Sequence, residues 1–315
     1  MKLLVTGATG FIGGAIARAA LSRGFSVGAV YRGTRPQGPS AIDWRTLEAW
    51  QSASEGVDAV VHAAALRHRH GIAPGDYTRT NSELTGRMLA LARARGAGRF
   101  VDISSIAVYG WPKVGPIDES FPLAPVGEYG RSKIECEQLV RASGLPYSIV
   151  QPSITYGPGD TNGMMDKILR MVARRRFIMP GLGHSRVQLI YIEDLARLVV
   201  DAAISERTRN QTFICTYRDP IRIRDLSRLA ARAVRSWVPP VGPPVALLRL
   251  GALGFELLER RGLLKGEPPL TREKLATVSI DRCYRIDRMR ELLGTEPHMG
   301  YQEGFACTAQ ALGLA

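Results

Sequence analysis

The sequence predicts an α/β fold, in which a mainly parallel sheet is covered by helices on both faces. Over residues 1–150, short apolar runs alternate with segments of helical periodicity, and this alternation is typical of doubly wound α/β domains. The runs carry few polar side chains, as between Val60 and Ala64, which is expected for strands buried on both faces. A glycine-rich turn follows the first run, and a helical segment comes directly after it.

The predicted elements of this first part follow the apolar pattern along the chain. The predicted strands are Leu3–Thr6, Ser26–Tyr31, Ala59–Ala63, Phe100–Ser104 and Ser148–Gln151. The predicted helices are Ile12–Ser22, Thr46–Ala53, Leu84–Arg95 and Tyr129–Ala142. Beyond residue 151 we expect helices at Met164–Arg175, Ile192–Ala203 and Ile223–Val234 and strands at Gln188–Tyr191 and Thr212–Cys215. We therefore expect one domain over 1–155, completed by part of 186–215, and a smaller C-terminal lobe over 156–315.

The net charge of +13 over 315 residues comes mainly from scattered arginines. Only Arg174-Arg175-Arg176 forms a run, and clustered charge, rather than total charge, marks a nucleic-acid site. We therefore expect a solvated basic surface and no nucleic-acid partner. Such a surface would still steer anionic ligands or favour an anionic membrane face.

Cysteine spacing and the chain start suggest a reduced compartment, and we expect a cytoplasmic protein. The four cysteines lie far apart without CxxC spacing, so neither a zinc site nor a disulfide framework is predicted. We expect no signal peptide, because the sequence starts with a strand-like run and a glycine-rich turn. The apolar stretch from Val245 to Leu258 is too short to span a bilayer, but it could lie on one in peripheral contact or line an apolar pocket.

The glycine-rich turn predicts a dinucleotide site. It runs Thr6-Gly7-Ala8-Thr9-Gly10-Phe11-Ile12-Gly13, between a strand and a helix. Small residues let the backbone approach a pyrophosphate, whose charge is met by free N–H groups at the helix N-terminus. This predicts a Rossmann-type NAD(P)-binding domain, with cofactor contacts at Gly7, Thr9, Gly10, Phe11, Ile12 and Gly13.

The end of the second strand bears on the choice between NAD and NADP. It reads Tyr31-Arg32-Gly33-Thr34-Arg35 and contains no acidic residue that could bind the ribose hydroxyls of NAD. Arg32, with or without Arg35, therefore favours the extra phosphate of NADP, while NAD stays open. The alternative is that both arginines are solvated loop charges.

The second motif is Tyr129-Gly130-Arg131-Ser132-Lys133. Residues four apart share one face of a helix, so the phenol of Tyr129 and the ammonium of Lys133 point the same way. A nearby cation stabilises a phenolate, and this allows the tyrosine to exchange a proton with an alcohol or ketone oxygen. Ser105, at the end of a preceding strand, could donate a hydrogen bond to the same oxygen.

Together these motifs resemble the extended short-chain dehydrogenase/reductase superfamily, also called the NAD(P)-dependent epimerase/dehydratase family. The resemblance rests, in chain order, on the turn at 6–13, the strand end at 62–65, Asn81, SSIAVYG at 104–110, YGRSK at 129–133, QPSITYGPGD at 151–160 and YIEDLA at 191–196. It implies an oxidoreductase with Ser105, Tyr129 and Lys133 as catalytic residues and Tyr129 as the acid/base. The cofactor site is expected to include also Asp43, Ala63, Ala64, Ala65, Tyr129, Lys133, Pro152 and Ser153.

Two features of the sequence favour an apolar substrate over a nucleotide sugar. Sugar-nucleotide epimerases of the family typically carry an asparagine before the YGPG stretch, where this chain has Ile154. Residues 266–294 resemble instead the 3β-hydroxysteroid dehydrogenase-like branch, which includes sterol or hopanoid-type enzymes and reductases of long-chain 3-ketoacids. We therefore expect the C-terminal lobe to bind a largely apolar hydroxy or keto substrate.

Several alternatives stay open. A nucleotide-sugar epimerase or dehydratase would retain NAD tightly, and a non-catalytic NAD(P)-sensing protein would need no catalytic residues. The resemblance also allows a homodimer through the helices at 84–95 and 129–142. His62 is expected to be a core or cofactor-lining residue rather than a base. The tract at 67–70, in which two arginines alternate with two histidines, is expected to be a loop without metal.

Overall fold

The central sheet of the computed structural model has seven parallel strands, and the prediction of a doubly wound α/β fold is confirmed. The structure describes residues 1–67, 72–73, 75–112, 114–161, 163–264, 266 and 268–315. The strands are β1 Lys2–Thr6, β2 Ser26–Tyr31, β3 Ile42–Thr46, β4 Ala59–His62, β5 Arg99–Ile103, β6 Tyr147–Pro152, β7 Ile154–Tyr156, β8 Arg186–Val187, β9 Leu189–Tyr191, β10 Gln211–Cys215 and β11 Ile221–Arg222. The sheet order is β3-β2-β1-β4-β5-β6-β10.

Helices cover both faces of this sheet and build the C-terminal lobe. They are α1 Phe11–Ser22, α2 Leu47–Gln51, α3 Asp76–Ala94, α4 Glu128–Ala142, α5 Met164–Ala173, α6 Ile192–Ile204, α7 Ile223–Ala233, α8 Val245–Arg260, α9 Arg272–Ser279, α10 Asp287–Leu293 and α11 Tyr301–Ala311. Short 3-10 helices lie at Ile106–Tyr109 and Glu206–Thr208. None of the described helices is long and apolar enough to cross a membrane.

The order of strands reverses between β1 and β4, because the chain runs outward from β1 to β3 and then returns to the other side of β1. Loops from the carboxyl ends of two such strands diverge to opposite faces and leave a crevice between them. The motifs at 6–13 and 62–65 follow these two strands, so the fold brings both motifs to the same crevice.

Separate apolar cores lie on the two faces of the sheet and in the lobe. Helices α1 and α6 pack on one face through residues such as Ile16 and Leu195. Helices α3 and α4 pack on the other through Met88 and Val140. In the lobe, α5, α7 and α11 enclose a third core, which includes the fully buried Phe305. Each such side chain contributes about 2 kcal/mol of burial free energy, so the three layers are held mainly by packing.

Several elements differ from the sequence-based expectation, and those not predicted include β7, β8, β11, α9, α10 and α11. Strand β3 was not predicted, and it forms the edge of the sheet, where Ile42 and Trp44 are buried between more polar residues. Helix α3 begins at Asp76, before the predicted start at Leu84. The apolar pattern did not indicate its first two turns, because they are mainly polar. Strand β10, from the later part of the chain, pairs with β6 in the central sheet.

Candidate active site

The turn between β1 and α1 is built so tightly that side chains are excluded at two of its glycines. Gly7 has a φ of +70°, and a Cβ atom on it would lie 2.8 Å from the backbone nitrogen of Ala64. A Cβ atom on Gly13 would lie 2.3 Å from the carbonyl oxygen of Gly7. Glycine at both positions therefore lets the first turn of α1 fold back onto the strand end, with the loop after β4 alongside.

The N-terminus of α1 fits a bound diphosphate. Its N-cap residue, Gly10, offers no side-chain acceptor to the first-turn N–H groups, and the first turn contains no acidic residue. Thr9 and Gly10 are exposed, while Phe11 and Ile12 are half-buried. Unpaired N–H groups at the positive end of a helix dipole attract an anion, so the residues present suit the pyrophosphate of a dinucleotide.

The loop after β4 is fixed by a buried chain of hydrogen bonds around His62. The Thr6 hydroxyl lies 2.8 Å from Nδ1 of His62 and accepts a hydrogen bond of 3.2 Å from the backbone N–H of Ala64. Nε2 of His62 lies 3.2 Å from the Thr85 hydroxyl. Burial, with the nearby charge of Lys133, lowers the pKa of His62 to about 3. His62 is therefore neutral and positions the loop rather than transferring protons.

Tyr129 and Lys133 lie one turn apart in α4, behind the carboxyl end of β5. The Lys133 ammonium is buried and donates a hydrogen bond of 2.7 Å to the carbonyl of Ile103. Burial alone would lower the pKa of Lys133, but the negative charges available on Tyr129 and Asp102 outweigh it and raise this pKa. The ring of Tyr129 is half-buried and meets the edge of Tyr77 at a centroid distance of 6.3 Å. Tyr129 thus lies one helical turn from a buried lysine with which it interacts electrostatically, as proton exchange requires.

The two serines after β5 have different partners. The buried Ser104 hydroxyl donates a hydrogen bond of 2.6 Å to Glu137 and is thereby occupied. The half-buried Ser105 hydroxyl accepts a hydrogen bond of 3.1 Å from the N–H of Ala107, at the start of the 3-10 helix. Its own proton stays available for a substrate oxygen.

The end of β6 contributes a further hydroxyl to the crevice region. Pro152 is the last residue of β6, and the N–H of Ser153 bonds to the carbonyl of Cys215 at 3.0 Å. The Ser153 hydroxyl is buried without a hydrogen-bond partner among the described residues. A buried hydroxyl without a partner is costly, so Ser153 is suited to bind a polar group of a ligand.

Of the residues expected to bind cofactor, Asp43 does not join the others. In β3, Asp43 pairs with Gly28 of β2, which in turn pairs with Leu4 of β1. These positions lie before the carboxyl ends of the strands, where the dinucleotide is expected. The Asp43 carboxylate is bound by the Arg45 guanidinium at 2.8 Å and lies 3.7 Å from the Lys2 ammonium. The register of β3 therefore places Asp43 in a lateral ion-pair network, and the assignment of Asp43 to the cofactor site stays a prediction that this position does not support.

The remaining expected residues lie as follows. Arg32 is exposed directly after β2, and Ala63, Ala64 and Ala65 form the half-buried loop after β4. The tract containing His68, Arg69 and His70 lies outside the described residues. Among those described, no three histidine, cysteine or carboxylate residues are grouped as metal ligands would be.

Two polar residues of this region were not predicted to have a role. Asn81 accepts a hydrogen bond of 2.7 Å from the N–H of Leu66 and donates one of 3.0 Å to Ser132, so it joins the β4 loop to α4. Asp102 lies fully buried in β5, and neither carboxylate oxygen has a hydrogen-bond partner among the described residues. For Asp102 the signal is a charged residue within an apolar strand, which is informative when buried. Asn81 lies among the polar residues of the first two turns of α3 and gives no such signal.

Known proteins match this chain over most of its length. It is 29% identical to a 2-alkyl-3-oxoalkanoate reductase from Stenotrophomonas maltophilia (strain K279a), over 96% of this chain and 97% of the relative. It is 27% identical to a UDP-glucose 4-epimerase from Vibrio cholerae, over 98% and 95%. The structure of a UDP-glucuronic acid 4-epimerase from Bacillus cereus in complex with NAD superposes with a TM-score of 0.76 at 19% identity, covering 99% of both chains.

The family model described as NAD dependent epimerase/dehydratase family matches residues 3–213. This range contains the glycine-rich turn, the serine pair and the Tyr129–Lys133 helix described above. The chain therefore belongs to the NAD-dependent epimerase/dehydratase family and is an enzyme of the extended short-chain dehydrogenase/reductase type.

Proposed function

We propose that this enzyme interconverts a ketone and a secondary alcohol on a largely apolar substrate, with NADP as its dinucleotide. The observation that carries the proposal is the placement of the buried ammonium of Lys133 one helical turn from Tyr129 in α4, with the proton of the Ser105 hydroxyl not engaged by any described residue. A bound nicotinamide supplies the hydride in reduction and accepts it in oxidation.

The chain's own residues handle the proton and the orientation of the substrate. In reduction, Tyr129 gives its proton to the ketone oxygen as that oxygen gains negative charge. Ser105 donates a hydrogen bond to the same oxygen and holds it beside the phenol. Lys133 stabilises the resulting phenolate and would also hold the ribose of the dinucleotide. The N–H groups of Phe11, Ile12 and Gly13 in the first turn of α1 would hold its pyrophosphate.

The apolar character of the substrate is inferred from residues outside this catalytic set. The chain has Ile154 where sugar-nucleotide epimerases typically carry an asparagine, and the side chain of an isoleucine cannot hydrogen-bond a phosphate or sugar. Residues 266–294 resemble the 3β-hydroxysteroid dehydrogenase-like branch. The similarity to a 2-alkyl-3-oxoalkanoate reductase supports the same substrate class, namely long-chain 3-ketoacids or sterol-like ketones.

The test is oxidation of NADPH by the purified enzyme with 2-alkyl-3-ketoacids and sterol-like ketones, followed by absorbance. We expect Tyr129→Phe to lower turnover by about 10²-fold or more, since one positioned acid typically contributes that much. NADPH binding, followed by its fluorescence, should be retained in this variant. Full turnover by Tyr129→Phe would contradict the proposed mechanism. Tyr147→Phe is a matched control, because Tyr147 begins β6 and therefore lies at the opposite edge of the sheet from the catalytic residues.

The second candidate is a nucleotide-sugar 4-epimerase, which the relative from Vibrio cholerae supports. An epimerase restores its dinucleotide within one turnover, so it would convert a nucleotide sugar without consuming added NADPH. It would also carry NAD through purification. Acid extraction of the purified enzyme, with identification of the released nucleotide, therefore distinguishes the two candidates.

A further inference from the structure

Helix α8 presents an apolar side to solvent. Leu247 and Leu250 are 60% and 67% exposed, and Leu253, Leu257 and Leu258 are exposed further along the helix. The opposite side is held by the protein: Ala252 is fully buried, and the carboxylate of Glu256 accepts hydrogen bonds from Arg272 at the start of α9. The helix is therefore amphipathic in the reverse sense from an ordinary surface helix, which turns its polar side outward.

Loops from the neighbouring part of the lobe extend this apolar side. The N–H of Gly181 bonds to the carbonyl of Pro243, and the N–H of Gly242 bonds to the carbonyl of Gly181, so residues 178–182 lie against the start of α8. Ile178, Leu182, Trp237 and Val241 are each more than half exposed in this region. We call the whole area the α8 surface, comprising Ile178, Leu182, Trp237, Val241, Leu247, Leu250, Leu253, Leu257 and Leu258.

Exposed arginines border the α8 surface. Arg174, Arg175 and Arg176 follow α5 and come directly before Phe177 and Ile178. The Ser236 hydroxyl bonds to the carbonyl of Val172 at 2.9 Å, which brings the segment containing Arg235 and Trp237 to the same end of α5. Arg249 and Arg261 are exposed on α8 and just beyond it. A large exposed apolar area with a polar rim marks an interaction site, and here the rim is cationic.

We propose that the α8 surface docks onto an anionic lipid bilayer, with its leucines in the interface and the arginines at the lipid phosphates. Apolar side chains combined with basic ones are what such an interface attracts, and the net charge of +13 acts in the same direction. A second copy of the chain is a weaker occupant, because a twofold contact would place the same cationic rim on both sides. The proposal does not depend on the proposed reaction, since binding is measured without turnover.

The experiment is co-sedimentation of the full chain with vesicles of phosphatidylcholine alone and of phosphatidylcholine with phosphatidylglycerol. We expect binding to the anionic vesicles at least tenfold stronger than to the neutral ones. Leu247→Gln with Leu250→Gln should weaken it by roughly a hundredfold, about tenfold for each leucine. Leu123→Gln is the matched control and should bind as the wild type does, because Leu123 is 45% exposed but lies outside the α8 surface.

The arginines and Trp237 provide independent readouts. Replacing Arg174, Arg175 and Arg176 with Gln should weaken binding to anionic vesicles roughly a hundredfold, about fivefold for each charge, and leave weak binding to neutral ones unchanged. Lipids brominated on their acyl chains should quench the fluorescence of the wild type but not that of Trp237→Phe, because Trp237 is 56% exposed in the α8 surface.

Three results would overturn the proposal. One is the absence of sedimentation with anionic vesicles at low salt. Another is binding that depends on the arginines but not on the leucines, which would indicate adhesion by charge alone. The third is a dimer in gel filtration that Leu247→Gln with Leu250→Gln dissociates, because the α8 surface would then be an interface between copies.

Discussion

Asp102 introduces an unpaired carboxylate into the middle of a buried strand. It lies in β5 between His62 of β4 and Ile149 of β6. Burial raises the pKa of Asp102 to about 6, although the positive charge of Lys133 opposes this shift. Strand interiors rarely hold such a group unless it is paired. Its benefit to the site is a negative charge that favours the charged form of Lys133.

This raised pKa predicts how stability depends on pH. A carboxyl whose pKa is higher in the folded state than in the unfolded state holds its proton more tightly when folded. The protonated Asp102 carboxyl therefore stabilises the folded protein fully below about pH 4. This stabilisation is lost as the pH rises through about 6. Asp102→Asn should then be more stable than the wild type at pH 7.5 by up to about 3 kcal/mol. The gain should vanish near pH 4.

Urea unfolding of both proteins at the two pH values measures this difference. Asp287→Asn is the surface control, since the Asp287 side chain is 65% exposed. An equal effect of Asp102→Asn at both pH values would contradict ionisation of Asp102 in the folded protein.

Arg32 carries the prediction about cofactor choice. It is exposed directly after β2, where an arginine pairs with the extra phosphate of NADP. We expect Arg32→Ser to raise the KM for NADPH by about tenfold or more, because a charge-assisted hydrogen bond is lost, and to leave the KM for NADH unchanged. Steady-state kinetics with both cofactors measure this. Arg222→Ser, at an exposed arginine of β11, is the control, and equal changes for both cofactors would contradict the assignment.

At the scale of elements, the sequence predicts best what local spacing determines. Apart from a polar residue at their ends, strands β1 and β4 are apolar because they are buried on both faces, so their pattern alone identifies them. The one-turn spacing from Tyr129 to Lys133 in α4 likewise needs no tertiary information. Strand β3 lies at the edge of the sheet and mixes polar with apolar residues. The continuous apolar pattern of a buried strand therefore does not predict it.

The position of Asp43 also differs from the expectation, for a different physical reason. A residue's height in a sheet depends on its register with the neighbouring strand, and a shift of one residue also changes the face on which its side chain lies. The register of β3 against β2 places Asp43 opposite Gly28 and away from the carboxyl edge. Nothing local in the sequence encodes this pairing.

The first turn of α1 gives a prediction at the same scale. Since a Cβ atom on Gly13 would lie 2.3 Å from the carbonyl oxygen of Gly7, Gly13→Ala must displace the helix from the turn. We expect it to cost about 1–3 kcal/mol of stability and to weaken dinucleotide binding as the turn opens. Thermal unfolding with and without NADPH measures both effects.

Gly86→Ala is the matched control for Gly13→Ala. Gly86 lies within α3, and a Cβ atom on it would meet nothing within 4 Å. Because alanine favours a helix interior, this variant should be more stable by about 0.5–1 kcal/mol and should bind NADPH normally. Unchanged NADPH binding by Gly13→Ala would contradict the tight turn.

At the scale of the whole molecule, the chain returns to the central sheet after it has begun the lobe. Residues from β7 to β9 leave the sheet, and β10 then rejoins it beside β6. Contacts such as that between Arg67 and Asp160, at 3.5 Å, connect the loop after β4 with the loop after β7. Long-range pairing of this kind is the part of the fold that sequence patterns leave least determined.

Asp194 links the two parts of the molecule and gives the last prediction. Its buried carboxylate, in the first turn of α6, accepts hydrogen bonds from the N–H groups of His298 and Met299, at 3.0 and 2.7 Å, and from Arg197 at 3.1 Å. It thereby fixes the segment that leads into α11 of the lobe.

Asp194→Asn keeps the size but loses the charge and one acceptor, so we expect the free energy of unfolding to fall by roughly 3 kcal/mol. Asp201→Asn, on the same helix but partly exposed beside Arg23, should cost about 1 kcal/mol or less. Urea unfolding of the two variants measures the difference, and limited proteolysis should cut Asp194→Asn faster near residue 298. Equal stability of the two variants would mean that the C-terminal segment is held by its apolar packing alone.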